Sequence, residues 1–78
     1  MLDLKQTLCD IVKAIVDDPS SISITESEES GTVNLVLSVA PDDMGKVIGK
    51  HGRIAKAIRT VMKAAANADG KKVTVEIK

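Results

Sequence analysis

The stretch TVNLVLSV, Thr32 to Val39, constrains the fold most, because Val33, Leu35, Leu37 and Val39 alternate with Thr32, Asn34, Val36 and Ser38. A period of two puts every second side chain on one side, which predicts a strand with one buried face. Such a strand must be paired and covered, and its neighbours offer both. Upstream, Leu4, Leu8, Ile11, Val12, Ile15 and Val16 recur at helical spacing, and Asp3 with Gln6 resembles a capping box, which predicts a helix to about Val16. Asp17, Asp18 and Pro19 end it; Ile22 and Ile24 then alternate with Ser21, Ser23 and Thr25 as a half-buried strand, before a polar turn at ESEESG, residues 26–31. Downstream, Pro41 stops the strand and Asp42 is placed to cap a short helix carrying Met44, Val47 and Ile48. Gly49 to Gly52 interrupts that helix. A longer one follows from Arg53 to about Ala68, with Ile54, Ala57, Ile58, Val61, Met62 and Ala65 as its apolar stripe and Arg53, Lys56, Arg59 and Lys63 largely off it. Asp69 and Gly70 end the helix, and Val73, Val75 and Ile77 alternate with Lys72, Thr74 and Glu76 as a last strand.

The predicted order is helix, strand, strand, helix, helix, strand: an α+β unit occupying residues 1–78 as a single domain. The first two strands, joined by a turn, pair antiparallel; the second and third, joined through two helices, pair parallel. One apolar face per strand predicts a three-stranded mixed sheet with all three helices on one face and the other face wet. The chain has no Phe, Trp or Tyr, so its core is aliphatic and it lacks the aromatic platform on which many single-strand binders stack bases. A core from only 78 residues is small, which leaves room for stabilisation by a partner. The first residues lack the pattern of a secretion signal and no apolar run is long enough to span a bilayer, so a cytoplasmic protein without membrane attachment is expected. Cys9 is the only cysteine, which excludes an internal disulfide and, with no His nearby, a metal site built on it.

The zero net charge hides a separation of signs. Residues 1–43 hold nine acids and two bases, whereas residues 44–68 hold Lys46, Lys50, Arg53, Lys56, Arg59 and Lys63 and no acid. A basic run by itself describes any solvated helix face; the glycines give this one a further meaning. Gly49 and Gly52 permit positive φ and carry no side chain, so a sugar-phosphate backbone can come close to the main chain. Gly52 and Arg53 open a helix whose positive dipole end, with Lys50 and Arg53, favours an anion.

The segment VIGKHGRIAKAI resembles the signature of the KH domain: an apolar pair, Gly-x-x-Gly with basic middle residues, then apolar anchors. The helix and strand order is similar to the type II KH arrangement, and the chain is most similar to the small bacterial single-domain RNA-binding proteins of the KhpA family. The resemblance implies a loop that clamps about four single-stranded nucleotides, their bases lying over an apolar groove. It implies RNA contact at Ile48, Gly49, Lys50, His51, Gly52 and Arg53, support from Lys46, a groove floor at Ile54, and Lys56 further along the helix, where a solvated role competes with RNA contact, as it does at Arg59. Glu28 and Glu29 are expected on the opposite wall of the groove, where they would weaken phosphate binding. The resemblance also implies self-association or pairing with a larger KH-containing protein of the KhpB (Jag) family, a part in post-transcriptional control as an RNA chaperone or regulator, and a link to cell elongation and division. Two short grooves acting together would compensate for weak binding by one. Ala55, Ala64, Ala66 and Ala68, outside the main stripe, permit close helix approach, although helix propensity alone also accounts for them; Met62 is expected in the core.

Other functional classes fit less well. A nucleotide-binding P-loop needs Gly at the Met44 position and Ser or Thr at His51, and a dinucleotide fingerprint needs different glycine spacing after a strand. Cys9 and His51 fall on distant elements, so no enzyme, cofactor or small-molecule substrate is expected. The serious alternative is a protein-interaction module, the small subunit of a heterodimer, in which RNA binding is secondary.

Overall fold

The computed structural model describes residues 3–78; Met1 and Leu2, within the expected domain, lie outside the described residues. The elements are α1 (Leu4–Lys13), β1 (Ser23–Glu29), β2 (Thr32–Ser38), α2 (Met44–Ile48), α3 (Arg53–Ala68) and β3 (Lys72–Ile77), with 3₁₀ turns at Pro19–Ser21, Pro41–Asp43 and Lys50–Gly52. The sheet order is β1-β2-β3, β1 antiparallel and β2 parallel to β3 as expected. Val33, Leu35, Leu37, Val39, Val73 and Val75 face Leu4, Leu8, Val12, Val16, Val47, Ile58, Met62 and Ala66 in one core, so the helices share one face of the sheet. The α+β arrangement read from the sequence is the one observed.

Several local expectations change. Helix α1 ends at Lys13, yet Ile15 and Val16 N–H groups still donate to Val12 (2.9 and 3.1 Å), which keeps the chain coiled far enough to bury Val16. Asp3 caps the helix by accepting from the Gln6 N–H at 3.1 Å, but the Gln6 side chain does not close a capping box; it donates to Asp10 at 2.8 Å. Strand β1 runs on through the acidic stretch to Glu29, and the turn contracts to Ser30 and Gly31, both at positive φ (50° and 81°). Paired positive φ is the two-residue hairpin geometry that matches strand twist. Glu26 and Glu28 pair with Leu35 and Val33 on the core side of the sheet but stay exposed, and charges on an edge strand discourage further pairing.

Asp42 makes no cap. The acid that counts is its neighbour: Asp43, only 2% exposed, accepts from the Asp17 and Asp18 N–H groups at 3.1 Å each, tying the exit of α1 to the entrance of α2. The buried side of α3 is Ala55, Ile58, Met62 and Ala66, a stripe rotated from the expected one. Ile54 (38% exposed), Ala57 and Val61 (51%) face outward, while Ala55 and Ala66 are core and available to no partner. Two of the four buried places on α3 are thus taken by alanine, and the larger Ile54 and Val61 are left at the surface. After Asp69, Gly70 at φ 69° turns the chain, and the Lys71 N–H returns to Ala66 at 2.8 Å, a Schellman stop that starts β3.

Candidate nucleic-acid interface

The loop between α2 and α3 is GKHG. The Gly49 N–H closes α2 on Gly45 at 2.8 Å, and three of the four loop residues have positive φ: Gly49 (76°), His51 (59°) and Gly52 (72°). The two glycines differ in what holds them. A Cβ on Gly49 would collide with the Ile54 side chain and lie 2.9 Å from the Ile54 nitrogen, whereas one on Gly52 would meet nothing within 4 Å. Gly49 is fixed by internal packing; Gly52 leaves bare backbone facing outward. His51 is the strained member, a non-glycine residue in a left-handed conformation, as recurs at ligand-holding loops.

Lys50, His51 and Arg53 project from the loop, all exposed. The Gly52 N–H donates to the Gly49 carbonyl (3.1 Å) and the Arg53 N–H to the Lys50 carbonyl, so two amides that the sequence offered to an anion are already used. Attraction for a phosphate therefore rests on the three side chains and the dipole of α3. Among the described residues the salt bridges all belong to Lys46, which pairs with Asp17 and approaches Asp43 at 3.9 Å. The hydrogen bond with Asp17 raises the Lys46 pKa above its ordinary value, against a smaller desolvation effect. Lys46 is thus drawn toward the α1 exit, leaving Lys50, His51 and Arg53 without carboxylate partners.

Ile48 (39% exposed) flanks the loop. Ile54 and Lys56, two residues apart, project about 160° from each other around α3, so they serve different surfaces. Lys56, Arg59, Lys63 and Asn67 form the stripe on one flank, and Arg59 Nε donates to the Val75 carbonyl on edge strand β3 at 3.2 Å. On the other flank, Ile54, Ala57, Ile58 and Val61 meet Ile11 of α1 and Ile15 just beyond its end, with Arg53 at the rim, around an apolar groove of about 350 Å³. Sequence periodicity missed this groove because it counted its residues as core; the exposure of Val61 is visible only once Ala55 and Ala66 are known to be underneath.

The repulsion expected from Glu28 and Glu29 does not arise at the loop. They adjoin the β1–β2 turn beside Thr32, which pairs with Glu29 on one side and Lys72 on the other, whereas the GKHG loop is beyond the opposite end of β2. The 16 residues of α3 span the separation, about 24 Å, more than twice the screening length at physiological salt, about 8 Å.

Comparison with known proteins places these features in a group. The family model for the KhpA/KhpB KH domain matches residues 5–77. The chain is 55% identical over 74 residues to the RNA-binding protein KhpA of Clostridium acetobutylicum, covering 95% of this chain and 99% of that protein. It is 45% identical to the protein of the same name in Listeria monocytogenes serovar 1/2a (95% and 97% covered), and 48% identical over 67 residues to that of Treponema pallidum (86% and 84% covered). Among solved structures, Era from Aquifex aeolicus aligns with a TM-score of 0.61 and 19% identity, covering 99% of this chain and 31% of Era, a similarity of fold alone.

Proposed function

The chain belongs to the KhpA/KhpB family of KH domains, and on that premise we propose that it binds single-stranded RNA at the GKHG loop, without chemistry of its own. The observation that carries this reading is the pairing of bare backbone at Gly52 with three exposed basic side chains, Lys50, His51 and Arg53, that have no carboxylate partner among the described residues. A phosphodiester can approach the main chain there and meet positive charge as it does. Ile48 supplies apolar surface beside the loop; Lys46 holds the loop's stem in place through Asp17 and contributes less directly. The expected activity is post-transcriptional and cytoplasmic. Replacing Lys50→Asp with His51→Asp adds two acids to exposed positions and leaves the core untouched. Titration with short single-stranded RNA at two salt concentrations should show binding lost while the circular dichroism spectrum persists. Unchanged binding refutes the clamp.

The α1/α3 apolar groove favours a second element of the reading, a protein partner. Ile54, Ala57 and Val61 beside Ile11 and Ile15 give a helix-lined surface suited to a second KH domain, either another copy of this chain or a larger KH-containing protein of the KhpB type. It is on the flank of α3 away from Lys56, Arg59 and Lys63, so pairing and RNA binding are compatible. Val61→Glu should shift light-scattering mass toward monomer; a monomer before and after substitution, with no heterodimer formed by the parent protein, would remove this element.

A further inference from the structure

At the end of α3 remote from the clamp, the chain gathers a second group of bases. Lys63 and Asn67 on α3, Lys71 in the turn, and Lys72 and Thr74 on β3 surround a depression of about 350 Å³. A second depression of about 220 Å³, lined by Arg59, Lys63, Val73, Thr74 and Val75, adjoins it. Lys63, Val73 and Thr74 belong to both, so the two form one trough along the edge strand. Lys63 and Lys72 are exposed, Lys71 half-buried, and none has a carboxylate partner among the described residues. The acids flanking it are Asp69, in the same turn as Lys71, Glu76, two residues beyond Thr74 on β3, and Glu29, two strands across from Lys72. Lys63, Lys71 and Lys72 together with Arg59 outnumber them.

The trough is continuous with the loop. Lys56, Arg59, Lys63 and Asn67 are spaced by three, four and four residues, so they line one flank of α3 from the GKHG end to the trough. Gly52 to Lys63 is eleven residues, a rise of about 16 Å. A stacked strand advancing about 3.4 Å per nucleotide covers that distance in about five nucleotides. We infer that the trough at Lys63, Lys71 and Lys72 is a second phosphate-binding subsite, which engages the same RNA strand beyond the nucleotides held by the GKHG loop. This inference rests on the RNA reading of the loop. Arg59, bonded to β3, is the fixed point between the two subsites, and Asn67 adds a neutral hydrogen-bonding group at the far one, where the Thr74 hydroxyl already donates to Asn34 Oδ1 at 2.6 Å. The trough has no aromatic ring or shaped base pocket, so it should hold backbone and select for length, not sequence.

The test compares the parent protein with a Lys63→Gln, Lys71→Gln, Lys72→Gln variant, using single-stranded oligouridylates of about four nucleotides, enough for the clamp alone, and about twelve, enough for both subsites. The substitutions are on the surface, and equal urea midpoints establish that the fold is kept. The four-nucleotide affinity should stay within about twofold, the twelve-nucleotide affinity should fall about tenfold at low salt, and the log-log salt slope for the longer strand should lessen by about two, the value for three phosphate contacts. Equal twelve-nucleotide affinities overturn the second subsite while leaving the clamp in place; parallel losses at both lengths overturn it as well, since the lysines would then act only through their general field. If the parent protein binds neither strand, the RNA reading of the loop fails and the subsite with it. If polyglutamate binds the parent but not the variant while RNA binding is unchanged, the trough belongs to an acidic protein segment and the inference is overturned.

Discussion

Gly49 and Gly52 are identical in sequence terms, yet substitution by alanine should separate them sharply. At Gly52 the new Cβ meets nothing within 4 Å, so the cost is that of a left-handed backbone at φ 72°, ψ 15°, about 1–2 kcal/mol. At Gly49 the backbone is at φ 76°, ψ 172°, a region essentially reserved for glycine and costing up to about 3 kcal/mol by itself. The Cβ there also meets the Ile54 nitrogen at 2.9 Å and the Ile54 side chain. The side chain can move; the backbone nitrogen can do so only by unwinding the first turn of α3. Gly49→Ala should therefore cost about 3 kcal/mol or more, a large share of the roughly 4–12 kcal/mol expected of a domain this size. Urea unfolding followed by circular dichroism measures both variants. In thermal terms, each kcal/mol is about 4–8 °C at this size, so Gly52→Ala should lose about 4–16 °C and Gly49→Ala about 12 °C or more. Adding Ile54→Ala to Gly49→Ala should restore only part of the loss, because the nitrogen contact survives. Equal destabilisation at the two glycines, or full rescue by Ile54→Ala, would refute the assignment of Gly49 to packing and Gly52 to conformation. Gly52→Ala has a functional use as well: it keeps the fold but adds a methyl to the bare surface, so RNA affinity should drop more than stability does.

Two further predictions concern the carboxylates around the exit of α1. Asp43→Ala strips the acceptor from two backbone N–H groups, which should destabilise by about 2–4 kcal/mol, with Asp43→Asn intermediate because one acceptor oxygen remains; a loss below about 0.5 kcal/mol on urea titration would contradict the staple. Asp18 accepts from the Ser20 and Ser21 hydroxyls (2.6 and 2.7 Å), and these hydrogen bonds hold its pKa below the ordinary aspartate value. A depressed folded-state pKa stabilises above the unfolded value and loses that contribution as pH falls through the folded one. The stability gap between the parent protein and Asp18→Asn should hold from neutral pH to about pH 5 and close below about pH 4; a gap independent of pH would show that the hydroxyl contacts do not depend on the charge.

Helix α3 has three distinct flanks. Ala55, Ile58, Met62 and Ala66 are buried; Lys56, Arg59 and Lys63 run beside β3; Ile54, Ala57 and Val61 face the α1 side. A helix carrying an apolar stripe wider than its buried one presents the excess to solvent, and exposed apolar surface on a small domain is where partners dock. On the function proposed above, the same helix would sit between an RNA strand on one flank and a protein on the other.

The sequence by itself determined the element order, the pairing of the strands, the single-sided core and the position of the glycine loop. These follow from local periodicity and from residues whose backbone preferences act within a few positions: Val33 to Val39 can only be a strand with one face in, and Gly49 and Gly52 can only mark a break. The tertiary structure decided which flank of α3 is buried, because apolar residues there outnumber the buried places, and packing takes Ala55 and Ala66 and leaves Ile54 and Val61 exposed. It decided that Asp43, not Asp42, takes a structural role, since the N–H groups it satisfies belong to residues 25 and 26 positions away. It decided that Lys46 is paired while Lys50 and Arg53 are not, and that Lys71 and Lys72 lie beside Lys63. Periodicity reports on neighbours within a turn or a strand; partners brought together by chain reversal leave no trace in spacing, and only the packed chain reveals them.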